Sequence, residues 1–132
     1  MNNQVEYSLL HREPEVDGVL DACRELGITL IAYSPLAGGR LTGKYSAQHS
    51  PSGFFRHVLP QYNRKTLDAI QLVINLLRET GEHYWKTPSQ VALRWLIENP
   101  IMLPISGAKN GGQATENVAG LGNCASAVVT HY

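Results

Sequence analysis

A short apolar run, Thr29-Leu30-Ile31-Ala32-Tyr33, constrains this chain most. It reads as a buried strand, and its flanks say what surrounds it. Upstream, Val16, Val19, Leu20, Cys23 and Leu26 keep helical spacing, and Gly27 stands where such a helix would close. Glu13-Pro14-Glu15 suits that helix's first turn, where proline costs no hydrogen bond and acids meet the positive end of the dipole. Val5 to Tyr7 is a further strand candidate. Strand, helix and strand at this spacing make one βαβ unit, whose strands run parallel.

Downstream of the run lies Ser34-Pro35-Leu36-Ala37-Gly38-Gly39-Arg40-Leu41-Thr42-Gly43-Lys44-Tyr45. Glycines let backbone amides approach a ligand closely, and successive amides in such a turn can cradle an anion. A lysine adds full charge, and Tyr33 offers a flat face for a ring. The residues fit a loop that holds a ring and a phosphate. They fit a glycine-rich surface turn equally well.

Asn63 is placed as an N-cap, followed by a stripe of Leu67, Ile70, Val73, Ile74 and Leu77 that ends near Gly81. Thr87-Pro88-Ser89-Gln90 combines an N-cap, a first-turn proline and an N3 glutamine, a capping-box start. Val91, Ala92, Trp95 and Leu96 form its buried face, and Asn99-Pro100 stops it. Ile101 to Ile105 is a third strand, in which Pro104 must sit at the end or where no amide is needed. Gln113 to Leu121 is the last helix, with Ala114, Val118 and Leu121 inward. The expectation is an α/β arrangement with three parallel strands near 4–7, 29–33 and 101–105, and helices near 14–26, 64–80, 88–98 and 112–121. The long connection 38–62 is functional or disordered by its length. Its Phe54, Phe55 and Tyr62 either fold over a ligand or make a small core of their own.

Eleven basic and eleven acidic residues leave no formal net charge, which argues against nucleic acid or an anionic membrane as partner. A chain 43% hydrophobic and 17% charged suits a soluble, core-forming protein. No stretch approaches the roughly 18 apolar residues of a membrane span, and no signal peptide is visible. Cys23 and Cys124 are isolated, so a disulfide framework is not expected and a reducing compartment, cytoplasm or plastid, fits. The histidines His11, His49, His57, His83 and His131 lack metal-ligand spacing. No G-x-S-x-G nucleophile motif occurs. No metal and no general acid is assigned.

Four ordered segments carry a resemblance. Asn3-Gln4-Val5-Glu6-Tyr7-Ser8-Leu9-Leu10, the run from Ala32 to Tyr45, Thr87 to Leu96, and Pro104 to Asn110 with Gln113 to Asn117 resemble aldo-keto reductases, especially the branch related to potassium-channel beta subunits. In order they resemble the family's sixth strand and loop, the loop after its seventh strand, its last helix before the eighth strand, and the eighth strand with the helix that binds the adenosine end of NADP(H). The resemblance covers roughly residues 2 to 122. It implies a partial (β/α)8 TIM barrel, since a whole one needs about 250 residues and this chain has 132. Residues 1–122 would be the C-terminal part of an NADP-dependent oxidoreductase domain. The tail 123–132 departs from the family, as in a truncated or alternatively terminated product.

The resemblance also assigns roles. Gln4 matches the glutamine that hydrogen-bonds the nicotinamide amide, and Tyr33 the tyrosine that stacks on the nicotinamide ring. Ser34, Leu36, Gly38, Gly43 and Lys44 match the loop around the pyrophosphate. Gly107 and Lys109 precede a helix start, where amides and dipole favour phosphate, and Lys109 could serve a 2′-phosphate. Gln113, Glu116 and Asn117 match the adenosine face, with Gln113 standing where many relatives carry arginine. The family's catalytic Asp, Tyr, Lys and His come from its first four strands, which have no counterpart here. The implied activity is reduction of a small carbonyl substrate with NADP(H). The alternative is a non-catalytic fragment that binds nucleotide weakly or associates through open sheet edges.

Overall fold

A computed structural model describes residues 1–46, 48–49 and 59–120. Expectations for Phe54, Phe55, His57, Leu121, Cys124, His131 and the tail lie outside the described residues. The order is β1 (Asn2–Glu6), a 3-10 turn (Glu13–Glu15), α1 (Val19–Glu25), β2 (Thr29–Tyr33) and 3-10 turns at Ala37–Thr42 and Pro60–Tyr62. Helices α2 (Arg64–Ala69), α3 (Gln71–Tyr84) and α4 (Pro88–Ile97), strand β3 (Met102–Ile105) and helix α5 (Gly111–Ala119) follow.

The sheet order is β1-β2-β3, and both pairings are parallel. Tyr33 pairs with Glu6 on one side and Ile105 on the other, so all three strands end together. Leu30 gives its amide to Ile101 O (2.8 Å), and the alternation of a parallel ladder then turns the nitrogens of residues 102 and 104 away from β2. Met102 uses its free amide on Asn99 O (2.9 Å), and Pro104 has none to lose.

The strand alternation divides the sheet into two unlike faces. Leu30, Ala32 and Met102 are buried against Leu20 and Cys23 of α1 and Leu93 and Leu96 of α4. Each fully buried leucine there stabilises the fold by about 1.5–3 kcal/mol. On the opposite face Tyr33, Leu103 and Ile105 stay 40–52% exposed. A second cluster joins Ala37 and Leu41 to Ile74, Leu77, Val91 and Ala92, and Leu36 packs against both clusters.

The helix expected over 14–26 is interrupted. Gly18 takes φ +87°, and the Asp17 carboxylate accepts from the Val19 amide (2.9 Å), so α1 starts afresh there. Val16 and Leu26 consequently miss the core and are 85% and 70% exposed. Gly27 does close α1: the Ile28 amide reaches Cys23 O (2.9 Å) and the Gly27 amide Arg24 O (3.3 Å), a Schellman closure.

The helix expected over 64–80 is two, joined at Ile70, and it runs past Gly81 to Tyr84. Gly81 serves close approach instead of termination. A Cβ there would stand 2.2 Å from the Lys86 carbonyl oxygen, because the chain folds back after Trp85. Asn63 caps α2 through the Thr66 amide (2.8 Å).

Helix α5 reverses its expected orientation. Ala114 and Val118 face solvent, Val118 at 63% exposure, while Gln113, Glu116 and Asn117 are half-buried. Hydrogen bonds to the preceding helix and loop hold it, so its polar stripe is the inward one.

Candidate functional site

Two loops leave the same end of the sheet, one after Tyr33 and one after Ile105, because parallel strands bring their C-terminal ends together. The first loop is a succession of tight turns. Ser34 and Ala37 take φ +52° and +51°, which costs a non-glycine residue on the order of 1 kcal/mol each. Backbone bonds from Ala37 to Ser34 O (2.8 Å) and from Gly39 to Leu36 O (2.9 Å) lock the turns. The Thr42 hydroxyl donates to Gly39 O (2.6 Å). Tyr62, from the far end of the long connection, is 7% exposed and donates its hydroxyl to Gly38 O (2.8 Å). A Cβ on Gly38 would lie 2.4 Å from that hydroxyl and displace it, and the φ of +67° favours glycine as well. Tyr45 meets Tyr62 edge to face, with centroids 6.1 Å apart. Tyr62 therefore belongs to the loop's own small core.

The second loop, Ser106 to Asn110, runs into α5. Asn110 caps the helix through the Gln113 amide (3.0 Å). The Gln113 side-chain oxygen accepts from the Lys109 amide (2.8 Å), and Asn117 Nδ2 donates to Gly107 O (3.4 Å). Two amides that could have met an anion are thus engaged within the protein. The Lys109 ammonium and the amides of Gly111 and Gly112 remain at the helix start.

Between the loops lies a cleft of about 480 Å³. Nine sequence-derived candidates line it: Ser34, Leu36, Gly38 and Lys44 on one wall, and Gly107, Lys109, Gln113, Glu116 and Asn117 on the other. Gly43 stands behind the wall, close to Pro88 and Ile74. Gln4 and Tyr33 lie off the cleft. Gln4 pairs in register with Ile31, two residues before Tyr33, so both belong to the open face of the sheet. Ile105, the register partner of Tyr33, lines the cleft and connects the two areas.

Sequence reasoning missed Ser89, a buried hydroxyl residue in the first turn of α4 that lines the cleft. The run Thr87-Pro88-Ser89-Gln90 announced a cap, and nothing in it announced a wall. Thr42, Tyr45 and Ser106 were missed likewise.

Charge in the cleft is divided. Lys44, Lys109 and the α5 N-terminus make one part favourable for an anion. Glu116 sits a turn further along α5 and presents a carboxylate, an acceptor that disfavours phosphate. The arrangement suits a ligand with an anionic middle and a hydrogen-bond donor at one end.

The perturbed titrating groups lie elsewhere. Tyr7 donates to Glu15 Oε1 (2.5 Å), and Arg12 grips the same carboxylate through Nε (2.6 Å) and a terminal nitrogen (2.7 Å). The Arg12 bonds hold the Glu15 carboxyl below its ordinary range, against an opposing push from partial burial. Burial first, and the Glu15 bond second, push the Tyr7 phenol well above its ordinary range. Trp95 stacks on Tyr7 at 5.6 Å and carries Arg12 over its ring at 5.3 Å. Among the described residues no three His, Cys, Asp or Glu side chains gather as a metal site. No described helix is long and apolar enough to cross a membrane.

The model of the aldo/keto reductase family matches residues 1–123. The chain is similar to the aldo-keto reductase str7 of Strobilurus tenacellus, with 38% identity over 122 residues, covering 87% of this chain and 35% of that protein. It is also similar to the aldo-keto reductase yakc of Schizosaccharomyces pombe, whose name carries NADP(+), with 37% identity, covering 89% of this chain and 36% of that protein. The structure of a glycerol dehydrogenase from Gluconobacter oxydans superposes on 91% of this chain and 36% of its own, with a TM-score of 0.77 and 22% identity. That likeness bears on the fold: the α/β unit described above matches part of a (β/α)8 barrel. The chain spans about a third of the length of the curated relatives it matches.

Proposed function

The chain belongs to the aldo/keto reductase family of oxidoreductases, and from that premise we propose that its cleft holds the phosphate and adenosine part of NADP(H) for reduction of an aldehyde or ketone. The observation that carries the reading is the convergence of the two strand-end loops on one cleft. The donor set fits the group. The turns from Ser34 to Gly43, with the Lys44 ammonium, would take the pyrophosphate, and Lys109 the 2′-phosphate. Gln113, Glu116 and Asn117 would take the adenosine. Tyr33, the register neighbour of Ile105, and Gln4, on the same open face, would meet the nicotinamide. The bound cofactor supplies the hydride.

On the family resemblance Gln113 would stand where many members carry arginine, and here its side-chain oxygen accepts from the Lys109 amide (2.8 Å). The load of 2′-phosphate selection then falls on Lys109. We also place the chain in the branch related to potassium-channel beta subunits, on the residues from Tyr33 to Lys44. A reducing compartment fits the buried free thiol of Cys23.

We assign no proton donor within these residues. Residues 1–122 are read as the cofactor-holding part of a barrel, and the remaining strand-helix units would bring the carbonyl and its acid. Alone, this part should bind NADP(H) at millimolar strength at best, roughly 4 kcal/mol, because ring contacts from other strands are missing and the loops must lose freedom. The test is a titration of the 132-residue chain with NADP(H) and NAD(H) by NMR. Lys109→Glu should weaken NADP(H) about tenfold and NAD(H) far less, since only the former carries the extra phosphate. Equal weakening of both would remove Lys109 from that role. Absence of binding by the unaltered chain would overturn the cofactor reading.

A further inference from the structure

Glu116 does not stand free in the cleft wall. The Thr87 hydroxyl donates to its Oε1 (3.0 Å), and Gln90 Nε2 donates to its backbone carbonyl (3.0 Å). Thr87 and Gln90 are also the two ends of the capping box of α4. The Gln90 amide donates to Thr87 Oγ1 (3.4 Å), and the Thr87 amide to Gln90 Oε1 (3.0 Å). Each capping side chain therefore has two partners, one in its own helix and one in α5.

A hydroxyl owns one proton. With its oxygen accepting from the Gln90 amide, the Thr87 proton is directed at Glu116. That fixes which carboxylate oxygen is consumed and leaves Oε2 as the acceptor for a ligand. Lys86 adds a third tie, from its ammonium to Ala119 O (2.8 Å). Gly120 lets α5 lie against α4, since a Cβ there would stand 3.3 Å from Gln90 Cα. The last helix is set by polar ties to the start of α4, and its apolar residues point outward.

We propose that Thr87 is a positioning residue for nucleotide binding: its hydroxyl orients the Glu116 carboxylate toward the hydrogen-bond donor of the ligand, the exocyclic amine of an adenine. This rests on the cofactor reading above. A cap alone would need only the Thr87 oxygen as acceptor. Positioning needs its proton as well, so the two roles separate by substitution. Thr87→Ser keeps both. Thr87→Asp keeps the cap, cannot donate, and sets a like charge against Glu116. Thr87→Val loses both.

The experiment titrates the 132-residue chain and its variants with 2′,5′-ADP by NMR, and follows amide hydrogen exchange of α5 without ligand. Thr87→Val and Thr87→Asp should each weaken 2′,5′-ADP about fivefold, and Thr87→Ser should stay within about twofold of the unaltered chain. In a Glu116→Ala background, Thr87→Val should weaken it no further. Exchange in α5 should quicken in Thr87→Asp and remain slow in Thr87→Ser. Unchanged affinity in Thr87→Asp, or an equal loss from Thr87→Val with and without Glu116, would overturn the positioning role. If the unaltered chain does not bind 2′,5′-ADP, the cofactor reading falls and nucleotide positioning falls with it. The exchange data then show whether the tie between the helices exists by itself.

Discussion

Glu15 joins a phenol and a guanidinium at one carboxylate. It accepts from Tyr7 and twice from Arg12, and that guanidinium also covers Trp95, so one carboxylate ties the chain after β1 to α4. Its folded pKa lies below the ordinary carboxylate value. The sign follows: its contribution is present above the ordinary value and disappears as pH falls through the lowered one. Tyr7 acts at the other extreme. Its raised pKa means that its contribution is present below the ordinary phenol value and lost as pH rises beyond it. Glu15→Gln should cost about 1 kcal/mol near neutral pH, a charge-assisted bond discounted for its partial exposure. The same substitution should flatten the fall of the melting temperature between neutral and acid pH. Thermal melts across that range check both, and an unchanged acid slope would show that Glu15 is not the titrating tie.

At the scale of elements, what could be read ahead depended on whether a signal was local. Thr87-Pro88-Ser89-Gln90 named its own cap, and the cap forms as read. The apolar runs at 29–33 and 101–105 read as strands and became parallel neighbours, but the burial expected of them holds for one face only, since Tyr33, Leu103 and Ile105 stay exposed on the other. Gly18 and Gly81 misled in opposite directions. Gly18 stood in a helical apolar stripe and broke it, because Asp17 offered the Val19 amide a competing partner. Gly81 looked like a stop and sits inside α3, because the reason for it, the Lys86 carbonyl, arrives only when the chain turns back. For α5 the apolar positions were read correctly and their direction was not. A helix held by Thr87, Gln90 and Lys86 needs no apolar stripe toward its neighbour. The site shows the same limit. Ser34, Lys44, Lys109 and Glu116 could be named from the family's pattern, whereas Ser89 joins the cleft only through the packing of α4. Gly81→Ala is the element-scale test. On an isolated helix it would gain about 1 kcal/mol. Here the new methyl would stand 2.2 Å from a backbone oxygen that cannot step aside cheaply. The net effect should be destabilisation by about 2 kcal/mol, measured by denaturant unfolding. A neutral or stabilising result would mean that the turn after Trp85 yields.

For the whole molecule the sheet's two faces have different consequences. One is packed under α1 and α4, and the other presents Tyr33, Leu103 and Ile105 at 40–52% exposure, beside Ile31. Among the described residues, strands β1 and β3 are edges, each with a neighbour on one side only. Parallel sheets are ordinarily covered on both faces, and unpaired edges invite further chains. In a closed barrel strands around the ring would cover this face. For the 132 residues by themselves the available cover is a second copy, so the chain should self-associate as its concentration rises. Face and edge can be told apart at Leu103. Its side chain is half exposed on the open face, whereas its backbone bonds lie in the sheet plane. Leu103→Lys removes an apolar contact, adds a charge to the face, and leaves the outward backbone groups of β3 as they were. If the face drives association, sedimentation velocity should show the variant shifting toward monomer at concentrations where the unaltered chain is associated, with little change in melting temperature because Leu103 is outside the core. If the edge drives it, the variant should sediment like the unaltered chain.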